Sequence, residues 1–75
     1  MKIRFDRVYN KTIEELVELA AVMIQQRNKR YRNYTSKIQE EIADVYCWLD
    51  VLQKRFNKFK IQRRIKYKRN KNKLK

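Results

Sequence analysis

A chain of 75 residues with no glycine and no proline has few ways to turn. Left-handed corners and fixed kinks are mostly the work of those two residues, so changes of direction fall to Asn, Thr and Ser, which bond their own backbone. The best cluster of them is Asn33-Tyr34-Thr35-Ser36, and the stretches on both sides carry apolar residues at helical spacing. The chain is therefore read as all-α. A first helix is expected from about Asn10 to Arg32, with Thr12 or Asn10 as N-cap. A second begins after Thr35 or Ser36, where Ser36 to Gln39 fits a capping box. Asn57 and Lys58 mark a weaker break, and a third helix is expected from about Phe59 to Asn72. The short turn makes the first two helices antiparallel, giving one small domain with a core hairpin over 12–57 and a basic helix or tail over 58–75.

Periodicity assigns the faces. Ile38, Ile42, Val45, Leu49, Leu52, Phe56 and Phe59 recur at steps of four and three, a seam expected to be core. The first helix is apolar nearly all round: Ile13, Leu16, Val17, Ala20 and Ile24 form one stripe, with Leu19 and Val22 opposite. One hairpin has too little core to bury such a helix, so a homodimer with a four-helix core, or a homotetramer, is expected.

Charge is very uneven. The formal net charge is +13, yet between Thr12 and Gln53 seven acids outnumber five bases, and from Lys54 to Lys75 there are twelve bases and no acid. Such a tail attracts phosphates, those of RNA or DNA included, although an AT-rich coding bias toward Lys, Asn, Ile and Tyr accounts for part of it. Other chemistry is excluded by composition. There is no His for a triad or a common zinc site, no Gly-rich phosphate loop, and a solitary Cys47 that can form no disulfide within the chain. Met1 to Lys11 is too charged for a signal peptide and Leu19 to Ile24 too short to span a bilayer, so a cytoplasmic protein with no membrane partner is expected.

Two acidic clusters interrupt the apolar helices: Glu14-Glu15-Leu16-Val17-Glu18 and Glu40-Glu41-Ile42-Ala43-Asp44. Three-residue spacing puts Glu15 beside Glu18 and Glu41 beside Asp44. Side by side, the two helices bring four carboxylates to one place, where they repel unless a cation sits among them. Hard oxygen ligands suit Mg²⁺ or Mn²⁺. Acid pairs at this spacing are also common on solvated faces, so either cluster alone reads as structural.

In these strings the chain resembles the all-α nucleoside triphosphate pyrophosphohydrolases, the MazG-like group that includes dimeric dUTPases, and especially its short phage-encoded members. Glu14-Glu15-Leu16-Val17-Glu18-Leu19 is similar to the family's first acidic segment, and Glu40-Glu41-Ile42-Ala43-Asp44-Val45 followed by Leu49 to its second. The resemblance covers about Ile13 to Leu52. It implies that Glu15, Glu18, Glu41 and Asp44 hold Mg²⁺ and that a nucleoside triphosphate is split to the monophosphate and pyrophosphate, with Glu15 favoured as the catalytic base. The family's third segment grips phosphates with Lys, Asn and Arg. Lys66, Asn70 and Lys73 match that spacing with Lys in place of Arg, which loses the bidentate fork. Members also have a longer N-terminal helix lining the base pocket, which nothing before Ile13 matches. Trp48 offers a face on which a base could stack, although an aromatic at helical spacing is more often packed. Two other readings stand beside this one: a basic helical nucleic-acid-binding protein, and a degenerate, non-catalytic member of the fold.

Overall fold

The computed structural model describes residues 3–74, which form three helices: α1 (Arg7–Asn28), α2 (Thr35–Gln53) and α3 (Lys58–Asn72). Helix α1 starts earlier than the sequence indicates. Asp6 caps it, its carboxylate accepting the Tyr9 N–H at 3.4 Å. Neither expected cap serves: Asn10 is helical, and Thr12 is buried inside the helix with its hydroxyl donating to the Val8 carbonyl at 2.7 Å.

Helix α1 also ends at Asn28 instead of running to Arg32, because the chain turns there on a side-chain amide. Gln26 Nε2 donates to the Arg32 carbonyl at 2.7 Å, and its Oε1 accepts the Tyr34 N–H at 2.9 Å. Both backbone groups lie beyond the helix and would otherwise lack a partner within the chain. Asn33 Oδ1 then accepts the Thr35 N–H at 2.9 Å, so α2 opens at Thr35 and Ser36 already lies in its first turn. The expected Ser36 to Gln39 capping box is not formed. The break near Asn57 occurs as read: Asn57 caps α3 by accepting the Lys60 N–H at 3.0 Å. At the far end Lys73 takes the left-handed conformation (φ 55°), and the Leu74 N–H reaches back to the Arg69 carbonyl at 2.8 Å. A glycine usually fills that position; this chain has none.

Helices α1 and α2 pack as an antiparallel hairpin, and α3 has only marginal contact with them. The seam runs along Thr12, Glu15, Leu19, Val22 and Gln26 of α1 and Ile38, Glu41, Val45, Trp48 and Leu52 of α2, all buried or half-buried. The expected α2 seam is therefore only partly right. Ile38, Val45 and Leu52 turn inward, whereas Ile42, Leu49, Phe56 and Phe59 are exposed. Within one chain α1 is not buried all round either: Ile13, Leu16, Val17 and Ile24 face outward, with Val17 62% exposed. Among the described residues, the buried apolar side chains are Val22 and Val45, and even these stay 5% and 7% exposed. The described chain measures 46 × 34 × 16 Å, little more than one helix thick in its smallest dimension. Among the described residues, no helix is long and apolar enough to cross a membrane.

Candidate metal centre

The hairpin seam is polar at its middle. Glu15 and Glu18 stand one turn apart on α1, opposite Glu41 on α2, and each of the three offers a carboxylate oxygen within 4.8 Å of the others. A second group, Glu40, Glu41 and Asp44, meets the same criterion and shares Glu41. Glu41 is thus the hinge of the cluster. It is also the most enclosed acid, 3% exposed, at a seam position where a pure packing pattern would place an apolar residue.

Charge and burial act on this cluster together. One oxygen of Glu41 accepts from Lys37 Nζ at 2.9 Å, one helical turn earlier, while Oε2 of Glu41 and Oε2 of Glu15 are buried with no hydrogen-bond partner. Buried polar atoms are seldom left so. The Glu15 carboxyl is pushed above its ordinary pKa, first by desolvation and then by the negative charges of Glu18, Asp44 and Glu41, with Lys11 opposing weakly. Lys37 is pushed up as well, first by its hydrogen bond to Glu41 and next by Glu40. One ammonium therefore answers for part of a cluster of five carboxylates.

The donor set fits a hard divalent cation. Every ligand is a carboxylate oxygen, and two of those oxygens are desolvated and unpartnered, a costly state for an anion that an ion among them would relieve. Two members lie outside the expected ligand set: Glu40, which opens the second acidic string, and Lys37, which the acid motifs do not include. The signal for Lys37 was its place four residues before Glu41, the spacing of a helical ion pair.

The remaining expected residues lie elsewhere. Trp48 is half-buried in the seam one turn beyond Asp44, with the Arg7 guanidinium 5.6 Å from its ring centre. Lys66 and Asn70 line a surface groove with Arg63, Arg69 and Leu74, to which the hairpin contributes no residue. Lys73 is the left-handed residue closing α3. Within one chain these three are not gathered with the acids around a shared groove. Compared with known proteins, the chain matches no family model, no curated protein and no solved structure.

Proposed function

We propose that this chain is a Mg²⁺-dependent nucleoside triphosphate pyrophosphohydrolase of the MazG-like kind, acting as a homodimer or homotetramer. The observation that carries the reading is the pair of buried, unpartnered carboxylate oxygens on Glu15 and Glu41, two residues whose carboxylates meet across the seam where the acid motifs of the two helices converge. Glu15, Glu18, Glu41 and Asp44 would hold the ion, Mg²⁺ or Mn²⁺. Such an ion supplies charge neutralisation for the polyphosphate and Lewis-acid polarisation of its oxygens. Hydrolysis of the α–β phosphoanhydride adds water and leaves a monophosphate, pyrophosphate and a proton. Glu15 is the group suited to take that proton, because burial and its acidic neighbours raise its proton affinity.

Phosphate contacts are assigned to Lys66, Asn70 and Lys73. Lys66 and Asn70 line a groove on α3 that contains no hairpin residue, and Lys73 closes that helix, so all three act from a neighbouring copy in this reading. Trp48 stacks on a base only if Arg7 leaves its ring. Assembly is supported by the thin shape and by the outward Ile13, Leu16, Val17 and Ile24, since a stable core needs at least two packed layers.

A second reading has one observation in its favour. Lys37 already neutralises Glu41, as it would in a non-catalytic helical module. Pyrophosphate release from a panel of ribo- and deoxynucleoside triphosphates, with and without Mg²⁺, separates the two. The parent chain should release pyrophosphate only with metal, and Glu18→Ala and Asp44→Ala should not. Silence of the folded parent across the panel would sink the enzymatic reading.

A further inference from the structure

Helix α3 carries eight Lys/Arg residues in fifteen and no acid. Among the described residues none of these bases has a carboxylate within ion-pair distance, for the ion pairs of the fold all lie in and around α1 and α2. Nor does packing explain them, because every α3 residue except Ile61 is exposed. The apolar residues do not form a membrane-binding face. At about 100° per residue Phe59, Ile65 and Tyr67 point in three different directions.

The bases are spread around the helix. Arg64 and Lys66 project about 160° apart, and Arg63 and Lys68 about 140° apart. The Ile61–Ile65 stripe, the main gap in this distribution, borders the apolar groove shared with Leu49 of α2 and with Phe56 in the connection between α2 and α3. A helix lying on a single row of phosphates uses one basic side. One that is basic on opposite flanks matches a groove with phosphates on both walls. A helix about 10–12 Å across fits the B-DNA major groove, about 12 Å wide. The A-form major groove of duplex RNA is deep and narrow. Fifteen residues span about 22 Å, or roughly six base pairs of B-DNA.

We propose that α3 is a duplex-DNA-binding helix that enters the major groove and holds phosphates on both walls, a function that does not use the acid cluster and in which DNA competes with a nucleotide's phosphates for Lys66. Binding is driven by charge and has little sequence preference. It also relieves the helix itself: Lys60, Arg64 and Lys68 are like charges at four-residue spacing, which weakens a free helix, so helicity increases on the duplex.

The test is fluorescence anisotropy of the full chain with a labelled DNA duplex of about 20 base pairs, from about 50 to about 200 mM salt, beside an RNA duplex of the same sequence and vesicles containing phosphatidylserine. With about six phosphates neutralised, the log–log salt slope should be about −5 and affinity should fall about a thousandfold over that range. The DNA duplex should bind at least tenfold tighter than the RNA duplex, and far-ultraviolet dichroism should show helix gained. The variant Lys60→Gln/Arg63→Gln/Arg64→Gln/Lys68→Gln should bring the slope to about −2. Glutamine is a good helix former, and Arg63→Lys/Arg64→Lys, which keeps the charge, should retain the parent slope. RNA bound as tightly as DNA, vesicles competing DNA away, or a glutamine variant that binds like the parent would each overturn the proposal.

Discussion

Arg55 grips Asp6 with two parallel bonds, Nη1 to Oδ1 and Nη2 to Oδ2, each 2.8 Å long, across 49 residues of sequence. Asp6 is at the same time the N-cap of α1. The pair therefore fastens the open end of the hairpin, where α1 begins and the chain leaves α2, as Gln26 fastens the closed end. A planar guanidinium suits this task because its fork is already organised for a carboxylate.

The Arg55 fork holds the Asp6 carboxyl well below its usual pKa of 3.8, at about 2. The folded chain thus keeps this proton less readily than the unfolded one. The stabilisation is fully present above pH about 4 and is lost as pH falls through about 2. Asp6→Ala removes both cap and fork and should lower the melting temperature by roughly 4–8 °C. Asp6→Asn, which still caps, should lower it less and flatten the acid limb between pH 4 and 2. Thermal melts across that window check both; an unchanged acid limb in Asp6→Asn would rule out the fork as its cause.

The acid cluster has the opposite signature. Because the folded Glu15 carboxyl holds its proton above the ordinary range, the metal-free fold loses stability on this account as pH rises above about 4.5 and until the folded carboxyl has itself ionised. Glu15→Gln should accordingly raise the melting temperature of the metal-free protein at neutral pH. The same change should abolish stabilisation by Mg²⁺, which in the parent should reach roughly 10–20 °C at a hundredfold excess over its dissociation constant. That gain should be greater at pH 7.5 than at pH 5. Glu15→Gln melting below the parent in chelator would show that the carboxylates are structural.

Much of this architecture is legible in the sequence, and what is not has identifiable causes. The breaks at Asn33–Thr35 and Asn57 can be read because Asn closes turns with its own neighbours. The meeting of Glu15, Glu18 and Glu41 likewise follows from helical spacing. The start of α1 does not, since the choice of Asp6 over Asn10 is reinforced by Arg55, a long-range partner. The expected α2 seam holds at Ile38, Val45 and Leu52 but not at its other positions. Ile42, Leu49 and Phe56 are as apolar as the residues that pack, and periodicity alone cannot say which of two adjacent stripes meets the same chain. The stripe that packs is interrupted by Thr12, Glu15 and Glu41, residues that a hydrophobic pattern assigns to the surface.

Lys37 offers a way to tune the candidate site without touching an acid. Its ammonium lies 2.9 Å from Glu41 and 3.8 Å from Glu40, so an arriving divalent ion meets a cation already in place. Lys37→Met should leave the cluster more negative, lowering stability in chelator and tightening Mg²⁺ binding severalfold. Calorimetric titration of Mg²⁺ or Mn²⁺ into both proteins measures the difference. Weaker binding in Lys37→Met would mean that the lysine organises the site instead of competing for it.

Assembly is tested on the outer face of α1, where Val17 is 62% exposed and makes no part of the hairpin seam. In an isolated chain, Val17→Glu exchanges one exposed side chain for another, at a cost within about 0.5 kcal/mol. In a four-helix core the same change buries a carboxylate without a partner, and few such assemblies tolerate that. Sedimentation should find the parent at two or four times the 9.4 kDa chain mass, and Val17→Glu as a monomer with a lower melting temperature. The shift should be independent of salt, since the contact it breaks is apolar. A parent that sediments as a monomer, or a Val17→Glu protein that still assembles, would leave the α1 stripe without a packing role.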